Sequence, residues 1–324
     1  MLRLESSDSS PRKPTHPVPT APTVPHPRNP RLWAIGLLAL AAFFFALTTV
    51  FARLALNAAP ALDSYQLVFF RFLVGFVWVG AWVARTGHSV RPVRAKWVYL
   101  RAIFNTAAVI FFFLGVEYST ITNANVLNMS SPVWIFLLAP LYDPATRMPR
   151  SYVVYLVLTM VGLYLVVVPD FGHIRIGEVY GALSGLLGGI AISNLHRARR
   201  HDSTVRILLY QFGFGMLVLL VLTYPTYTWQ ASAWAWVCIL LSAGLGVAGQ
   251  QLLTVGYRYL DARTGSIVSA SQMLHAAALG ILLFSEPLSW RIALGGGCIL
   301  VSLLGVSGLW ARWGRRLWPR TVNL

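Results

Sequence analysis

The sequence predicts an all-α polytopic membrane protein: ten transmembrane helices arranged as two inverted five-helix repeats. Three observations predict it. First, only 11% of the 324 residues are charged while 56% are hydrophobic, and the mean hydropathy is +0.63. Charges this sparse cannot coat a soluble body of this size, and apolar runs of about 20 residues without two-residue alternation select helices over a barrel. Second, the basic residues fall in every second break between apolar runs. Third, the chain resembles itself at a shift of 141 residues.

In chain order, residues 1–30 come first. They hold eight prolines among Ser, Thr and basic residues, a composition that buries too little apolar surface to fold, so they read as a disordered cytosolic tail. The next apolar run lacks a small-residue cleavage site before it can end, and reads as a retained span, not a removed signal peptide. The spans are placed at 32–56, 64–84, 97–116, 122–142, 151–168, 176–196, 205–224, 234–256, 264–284 and 290–310, with a basic cytosolic tail over 312–324. Residues 31–170 and 171–311 are then the two five-helix units. Asp63-Ser64 and Asp202-Ser203-Thr204 supply N-caps for the second and seventh spans.

A net charge of +16 invites a nucleic-acid partner. The placement of the charges rejects it, because they form no single basic face. Arg85, Arg91, Arg94 and Lys96 fill one break; Arg147 and Arg150, then Arg197, Arg199, Arg200 and Arg206, then Arg258 and Arg263 fill later ones. The intervening breaks hold only Arg175 and Arg291. Alternate basic breaks imply an even number of spans with both termini cytosolic, in the cell (inner or plasma) membrane. Cys238 and Cys298 lie inside apolar runs and offer neither a disulfide framework nor metal spacing. No cofactor is implied. The partners expected are the lipid bilayer and a small-molecule substrate, and both a monomer and a homodimer fit the pattern.

The internal repeat is clearest where GVEYSTITNANVLNMSSP (115–132) falls on GYRYLDARTGSIVSASQM (256–273). Gly115 meets Gly256, Tyr118 meets Tyr259, and the small polar run NANVLNMSS meets TGSIVSASQ. Five spans per unit is odd, so the copies lie in opposite orientations. Glu117 then sits on the outer side and its counterpart Arg258 on the inner. Inverted repeats of this kind mark secondary transporters, whose substrate site lies near the bilayer midplane where the repeats meet.

With these features, the chain resembles the EamA-type transporters of the drug/metabolite transporter superfamily over about residues 32–310. Phe70-Arg71-Phe72, Asn128-Met129-Ser130-Ser131-Pro132 and Phe284-Ser285-Glu286-Pro287-Leu288 carry the resemblance through their order and spacing. It implies movement of small metabolites through a cavity lined by both repeats. One departure stands out: family members often have a proline in span nine where this chain has Met273, so the resemblance leaves that span's bend open.

Several polar residues sit deep in the spans. Arg71 lies roughly 10–12 Å into span two. A central arginine costs about 2.5–3.5 kcal/mol on insertion scales and must face a cavity or a partner. No Asp or Glu lies mid-span, which leaves carbonyls, water or an anionic substrate group as that partner. In span four, Asn125 and Asn128 share a side with Ser131 or Met129, above a helix-bending Pro132. They read either as solute ligands or as hydrogen-bonding glue between helices. His275, with Gln272 a turn away, lies near the middle of span nine and reads as a proton or substrate contact, or as an interhelical bond. The expected site joins Asn125 or Asn128 to Gln272 and His275 around one cavity, since counted depths agree within about one turn. Asn105 and Gln250 complete the candidate lining, with Asn194, Gln211 and Gln251 as further possibilities. Arg53 and Arg101 read as interfacial residues that snorkel. Gly181, Gly185 and Gly189, four apart in span six, read as a packing face.

Two other function classes compete. Gly305-Val306-Ser307-Gly308 resembles the serine motif of intramembrane serine proteases, with His275 as its base. Ser307, however, lies about 26 Å from the outer end of span ten, too far from His275 for the approach of about 3 Å that proton transfer needs. The chain therefore reads as no enzyme. A lipid-handling or scaffold protein would lack a soluble substrate and would open a polar groove sideways to lipid. The polar midplane residues favour instead a secondary transporter moving a small metabolite, such as an amino acid or another carboxylate or zwitterion, by alternating access.

Overall fold

The computed structural model describes residues 29–119, 121–142, 149–167, 176–224, 231–285 and 287–308. The two expected tails, Asp143, Arg147, Arg175, Trp229 and Glu286 lie outside the described residues, as do the side chains of Glu117 and Asn125. The elements are α1 (Pro30–Ala58), α2 (Ser64–Thr86), α3 (Ala95–Tyr118), α4 (Ile121–Asn128), α5 (Ser131–Tyr142), α6 (Arg150–Val167), α7 (Ile176–Arg199), α8 (Thr204–Thr223), α9 (Ala233–Gly256), α10 (Ala262–Ser269), α11 (Gln272–Phe284) and α12 (Trp290–Ser307). Among the described residues there is no strand. Nine helices there are long and apolar enough to cross a membrane, α10 and α11 counting as one, and Val126–Tyr142 is a shorter apolar helix in the fourth position. Large apolar side chains such as Val154, Val157, Leu217 and Leu304 stand exposed along them, as a lipid solvent requires. The chain is an integral membrane protein.

Local chemistry sets the helix ends. Asp63 caps α2: its carboxylate accepts from Tyr65 N at 3.1 Å, and Gln66 Oε1 accepts from Asp63 N at 3.3 Å. This is a reciprocal capping box. Ser203, one residue past Asp202, caps α8 by accepting from Arg206 N at 3.3 Å. Asp202 turns elsewhere: its carboxylate accepts from Val93 N at 2.7 Å and Arg94 N at 3.0 Å, tying the α7–α8 turn to the α2–α3 turn. Gly87 ends α2 at φ 63° and Gly308 ends α12 at φ 74°, a left-handed backbone that glycine adopts without steric cost.

The fourth and ninth spans are each broken, and the breaks correspond. Shifted by 141 residues, Ile121 and Asn128, the bounds of α4, fall on Ala262 and Ser269, the bounds of α10; Ser131, the start of α5, falls on Gln272, the start of α11. In span four the break is at Met129–Ser130, upstream of Pro132. Ser130 Oγ donates to Leu127 O at 2.6 Å, which occupies a carbonyl freed at the end of α4. Pro132 sits in the first turn of α5, where its missing N–H costs least. Span nine breaks without a proline: Ser271 N reaches Val268 O and Met273 N reaches Ala270 O, both at 3.1 Å. These three-residue turns tighten the helix.

Helix packing repeats the same relation. α1 runs along α9 and α3 along α7; α2 meets both α8 and α9, α3 meets α8, and α6 packs on α12. Number the spans one to ten and advance each by five places. The first–eighth pair becomes sixth–third, the second–eighth pair becomes seventh–third, and the second–seventh and fifth–tenth pairs map onto themselves. Glycines on α7 bring α4 and α5 close: a Cβ on Gly181 would stand 3.0 Å from Leu127 Cβ, and one on Gly189 2.9 Å from Trp134 Cβ. The glycine face is a packing face.

One end of the bundle gathers Arg31, Tyr152, Thr264 and Val306. Arg31 Nη2 donates to Tyr152 Oη at 2.8 Å and to Val306 O at 3.1 Å, and Tyr152 Oη lies 3.3 Å from Thr264 Oγ1. Elsewhere, the end of α3 meets the start of α7, where Ser119 Oγ and Asn123 Nδ2 (3.0 Å) both bond Glu178 Oε1. Two apolar clusters form the core, one built on Phe69, Phe72, Leu208 and Phe212, the other on Leu38, Val98, Leu195 and Tyr257.

Candidate functional site: a cation-lined central cavity

Between the two apolar clusters lies a cavity of about 310 Å³, within the range of small-molecule sites. Phe72 and Phe212 of one cluster and Leu253 of the other reach its wall. Its polar lining comes from several helices: Arg71 on α2, Arg101 and Asn105 on α3, Asn128 at the end of α4, Ser131 at the start of α5, Gln211 on α8 and Gln250 on α9. The cavity face of α3 follows helical spacing, with Arg101, Asn105, Ala108 and Phe112 falling four, three and four apart.

Arg71 lies along the backbone of α9. Its Nη2 is 3.5 Å from Gly246 O, a long and weak bond, and its Cζ stands 5.2 Å from the centroid of Phe45. Gly246 makes room for it, since a Cβ there would meet Arg71 Nε at 2.7 Å. Arg101 is 2% exposed. Its Nε donates to Gln211 Oε1 at 3.1 Å, which aims the guanidinium. Among the described residues neither arginine has a carboxylate partner, and Asp or Glu is absent from the cavity wall. Gln250 is 6% exposed, and its Nε2 finds no acceptor among the described residues. Asn128 Nδ2 donates to Ser184 Oγ at 2.6 Å, and Ser184 Oγ donates on to Ala108 O at 2.8 Å. The wall carries two guanidiniums and no described carboxylate, and its four side-chain amides supply N–H donors and C=O acceptors alike.

Of the candidates named from sequence, Arg71, Asn105, Asn128 and Gln250 come together here. The backbone of Asn125 lies on α4, a turn before Asn128. Gln272 and His275 do not line the cavity. The His275 ring instead packs edge-on against Phe43 at 5.6 Å. The reason is α1, which stands between: Phe45 faces the cavity, while Phe43, two residues earlier and so on another side of the helix, faces α11. On the other side α7 carries Gly185 and Gly188 near the corresponding level, and there α4 and α5 reach the cavity. The counted depths are compatible, but the direction around the helix differs.

Arg101 is the residue misread from sequence as interfacial. α3 starts at Ala95, two residues before the expected span, so Arg101 lies nearly two turns inside. A signal was present: Arg101 is four residues before Asn105 and shares its face. Of the remaining possibilities Gln211 lines the cavity; Asn194 Nδ2 donates to Tyr142 Oη at 3.2 Å and to Ile190 O at 2.8 Å; Gln251 faces a groove beside Trp33, Trp78 and Trp82. Ser307 Oγ donates to Leu304 O of its own helix at 2.8 Å.

Comparison with known proteins adds the following. The family model described as the EamA-like transporter family matches the chain twice, over residues 32–168 and 175–308. An uncharacterized transporter of Archaeoglobus fulgidus is 27% identical over 247 residues, 75% of this chain and 86% of its own length. A pseudopaline exporter of Pseudomonas aeruginosa is 22% identical over 260 residues, 80% of this chain and 91% of its own. One solved crystal structure shares the fold at a TM-score of 0.71 and 16% identity, covering 89% of this chain and 99% of its own.

Proposed function

From the premise that the chain belongs to the EamA-like transporter family, we propose that it is a secondary transporter moving a small organic solute by alternating access. The solute sits in the central cavity, with a carboxylate of an amino acid or another carboxylate or zwitterion on Arg71. The observation that carries this reading is Arg71 itself: a cation inside a cavity of about 310 Å³ whose described wall holds no acid. A bidentate carboxylate fits the guanidinium fork. Both segments matched by the family model contribute to the wall, α1 to α5 from one and α7 to α9 from the other. A seat between two inverted units suits halves that rock around it. The relatives named as transporters support transport over catalysis.

The same reading sets ten spans with both termini cytosolic. The gathering of Arg31, Tyr152, Thr264 and Val306 at one end accords with every second break lying on the cytosolic side, as does the bond from the α7–α8 turn to the α2–α3 turn. Counterflow in proteoliposomes tests the transport claim, using labelled amino acids and carboxylates. At least one should exchange, and Gly188→Leu, which fills the cavity, should cut that exchange at least tenfold in folded protein. Exchange that survives the filling would overturn the seat.

A further inference from the structure

We infer that the cavity is built for a dianion, with Arg101 as a second anionic anchor beside Arg71. This rests on the transport reading above and narrows its substrate class. Each guanidinium carries five N–H donors in a fixed fork. Among the described residues Arg71 makes one long bond, to Gly246 O, and Arg101 makes one, to Gln211 Oε1. Neither bond is to a charged group, and no described residue of the wall is acidic. Two cations thus share a small space without a counter-charge from the described protein. Burying such charges unpaired is costly, and a ligand with two negative groups removes the cost at both positions at once.

The other wall groups point the same way. The Gln250 amide nitrogen is buried without an acceptor among the described residues. Gln211 gives its oxygen to Arg101, which leaves its amide nitrogen for another partner. A ligand that answers these N–H groups offers acceptors, as carboxylate or phosphate oxygens do. Phe45, Phe112 and Phe113 also line the wall, so a portion between the two anionic groups can lie against aromatic rings.

The placement of the two arginines adds a direction. Both α2 and α3 run from the same turn at residues 87–94. Counted at 1.5 Å per residue from that turn, Arg71 attaches about 22 Å along α2 and Arg101 about 9 Å along α3. The attachment points are thus staggered by about 13 Å along the bundle axis, and both side chains line the same cavity. The dianion lies along the axis with one group at each level. Each arginine is nearer to one end of the transport path, so a solute entering from either side meets a cation first.

The test uses purified full-length protein in detergent and a series of dicarboxylates from malonate to adipate. Monocarboxylates of matching chain length and alanine serve as comparisons, with binding read by titration calorimetry. The best dicarboxylate should bind at least tenfold more tightly than its monocarboxylate counterpart, a comparison that needs no variant. Arg101→Gln should reduce dicarboxylate affinity to the monocarboxylate level while leaving monocarboxylate affinity within about twofold; Arg101→Lys, which keeps the charge and loses the fork, should fall between. Equal affinity for mono- and dicarboxylates, lost on Arg71→Gln, would overturn the second anchor and leave the transport reading standing. Loss of both ligand classes alike in folded Arg101→Gln would also overturn it, by making Arg101 a support for the cavity and not an anchor. Exchange insensitive to filling the cavity would remove the transport seat itself.

Discussion

Two glycines three residues apart on α7 should respond oppositely to the same added methyl group. A Cβ on Gly185 would collide with Leu127 O and Ser130 Oγ and come within 3.3 Å of Asn128 O, so it meets backbone at the break between α4 and α5. A Cβ on Gly188 meets only Ser131 Cβ, at 3.8 Å, an ordinary contact at the edge of the cavity. In Gly185→Ala the two elements must separate by roughly 1 Å before non-bonded atoms regain their usual spacing. That separation strains the 2.6 Å bond between Asn128 and Ser184. Overpacking of this kind costs about 1–3 kcal/mol. Both variants gain the same helix propensity, about 1 kcal/mol at most, so it cancels in their comparison. The expected difference is therefore the overpacking cost alone. Thermal unfolding in detergent, followed by tryptophan fluorescence, measures it: Gly188→Ala should melt at or above the parent protein, and Gly185→Ala clearly below Gly188→Ala. A Gly185→Ala protein that melts at or above Gly188→Ala would refute the close approach of α7 to the α4–α5 break.

Three further outcomes are expected. His275→Ala should leave counterflow within about twofold, because its ring packs on Phe43 outside the cavity, while Asn128→Ala should lower it at least fivefold at equal expression; the reverse ranking would restore His275 to the site. Asp202→Asn should cost about 1.5–3 kcal/mol in unfolding experiments, since its carboxylate holds two backbone N–H groups of the neighbouring turn, whereas Arg206→Gln, a partly exposed partner at 3.6 Å that also donates to Ser89 O at 2.8 Å, should cost less, about 1 kcal/mol. Ser184→Ala should cost about 0.6–2 kcal/mol and change solute affinity as well, because it releases the Asn128 amide and removes the hydroxyl that bonds Ala108 O in addition to that carbonyl's own helix.

What could be read in advance depended on which coordinate a residue's position required. Span existence came from long apolar runs, and every expected span has its helix or helix pair. Height within a span can be counted, which is why the depth of Arg71 is legible. Direction around the helix cannot be counted in the same way, because it depends on which neighbour packs where. His275 and Asn128 agree in counted depth, yet the His275 ring packs on Phe43 of α1 while Asn128 lines the cavity. Arg101 failed at the boundary: two residues of error at the start of α3 turned a cavity cation into an interfacial one. The polar run before Pro132 announced the break in span four. The break in span nine had no proline to announce it, and the sequence left that span's bend open; its correspondence with the break in span four emerges only from the helix bounds. The N-cap at Ser203 was one residue from its expected neighbour because Asp202 serves another turn altogether, a long-range bond that local pattern does not encode.

The break between α4 and α5 has a consequence for biogenesis. Its apolar stretch, Val126–Tyr142, is short for a bilayer, and its interrupted backbone is tolerated in lipid only where protein covers it. The covering protein is α7, whose glycines lie against Leu127, Ser130 and Trp134. α7 is synthesised later, so the fourth span leaves the ribosome before its shelter exists. The first half of the chain therefore cannot reach its final packing as a separate unit, and a chain truncated after α6 should leave the fourth span poorly inserted. Co-expression of the two halves as separate polypeptides should rescue insertion only if both are present in the same membrane at the same time, so assembly is a pairing between halves and not a sequence of two independent foldings.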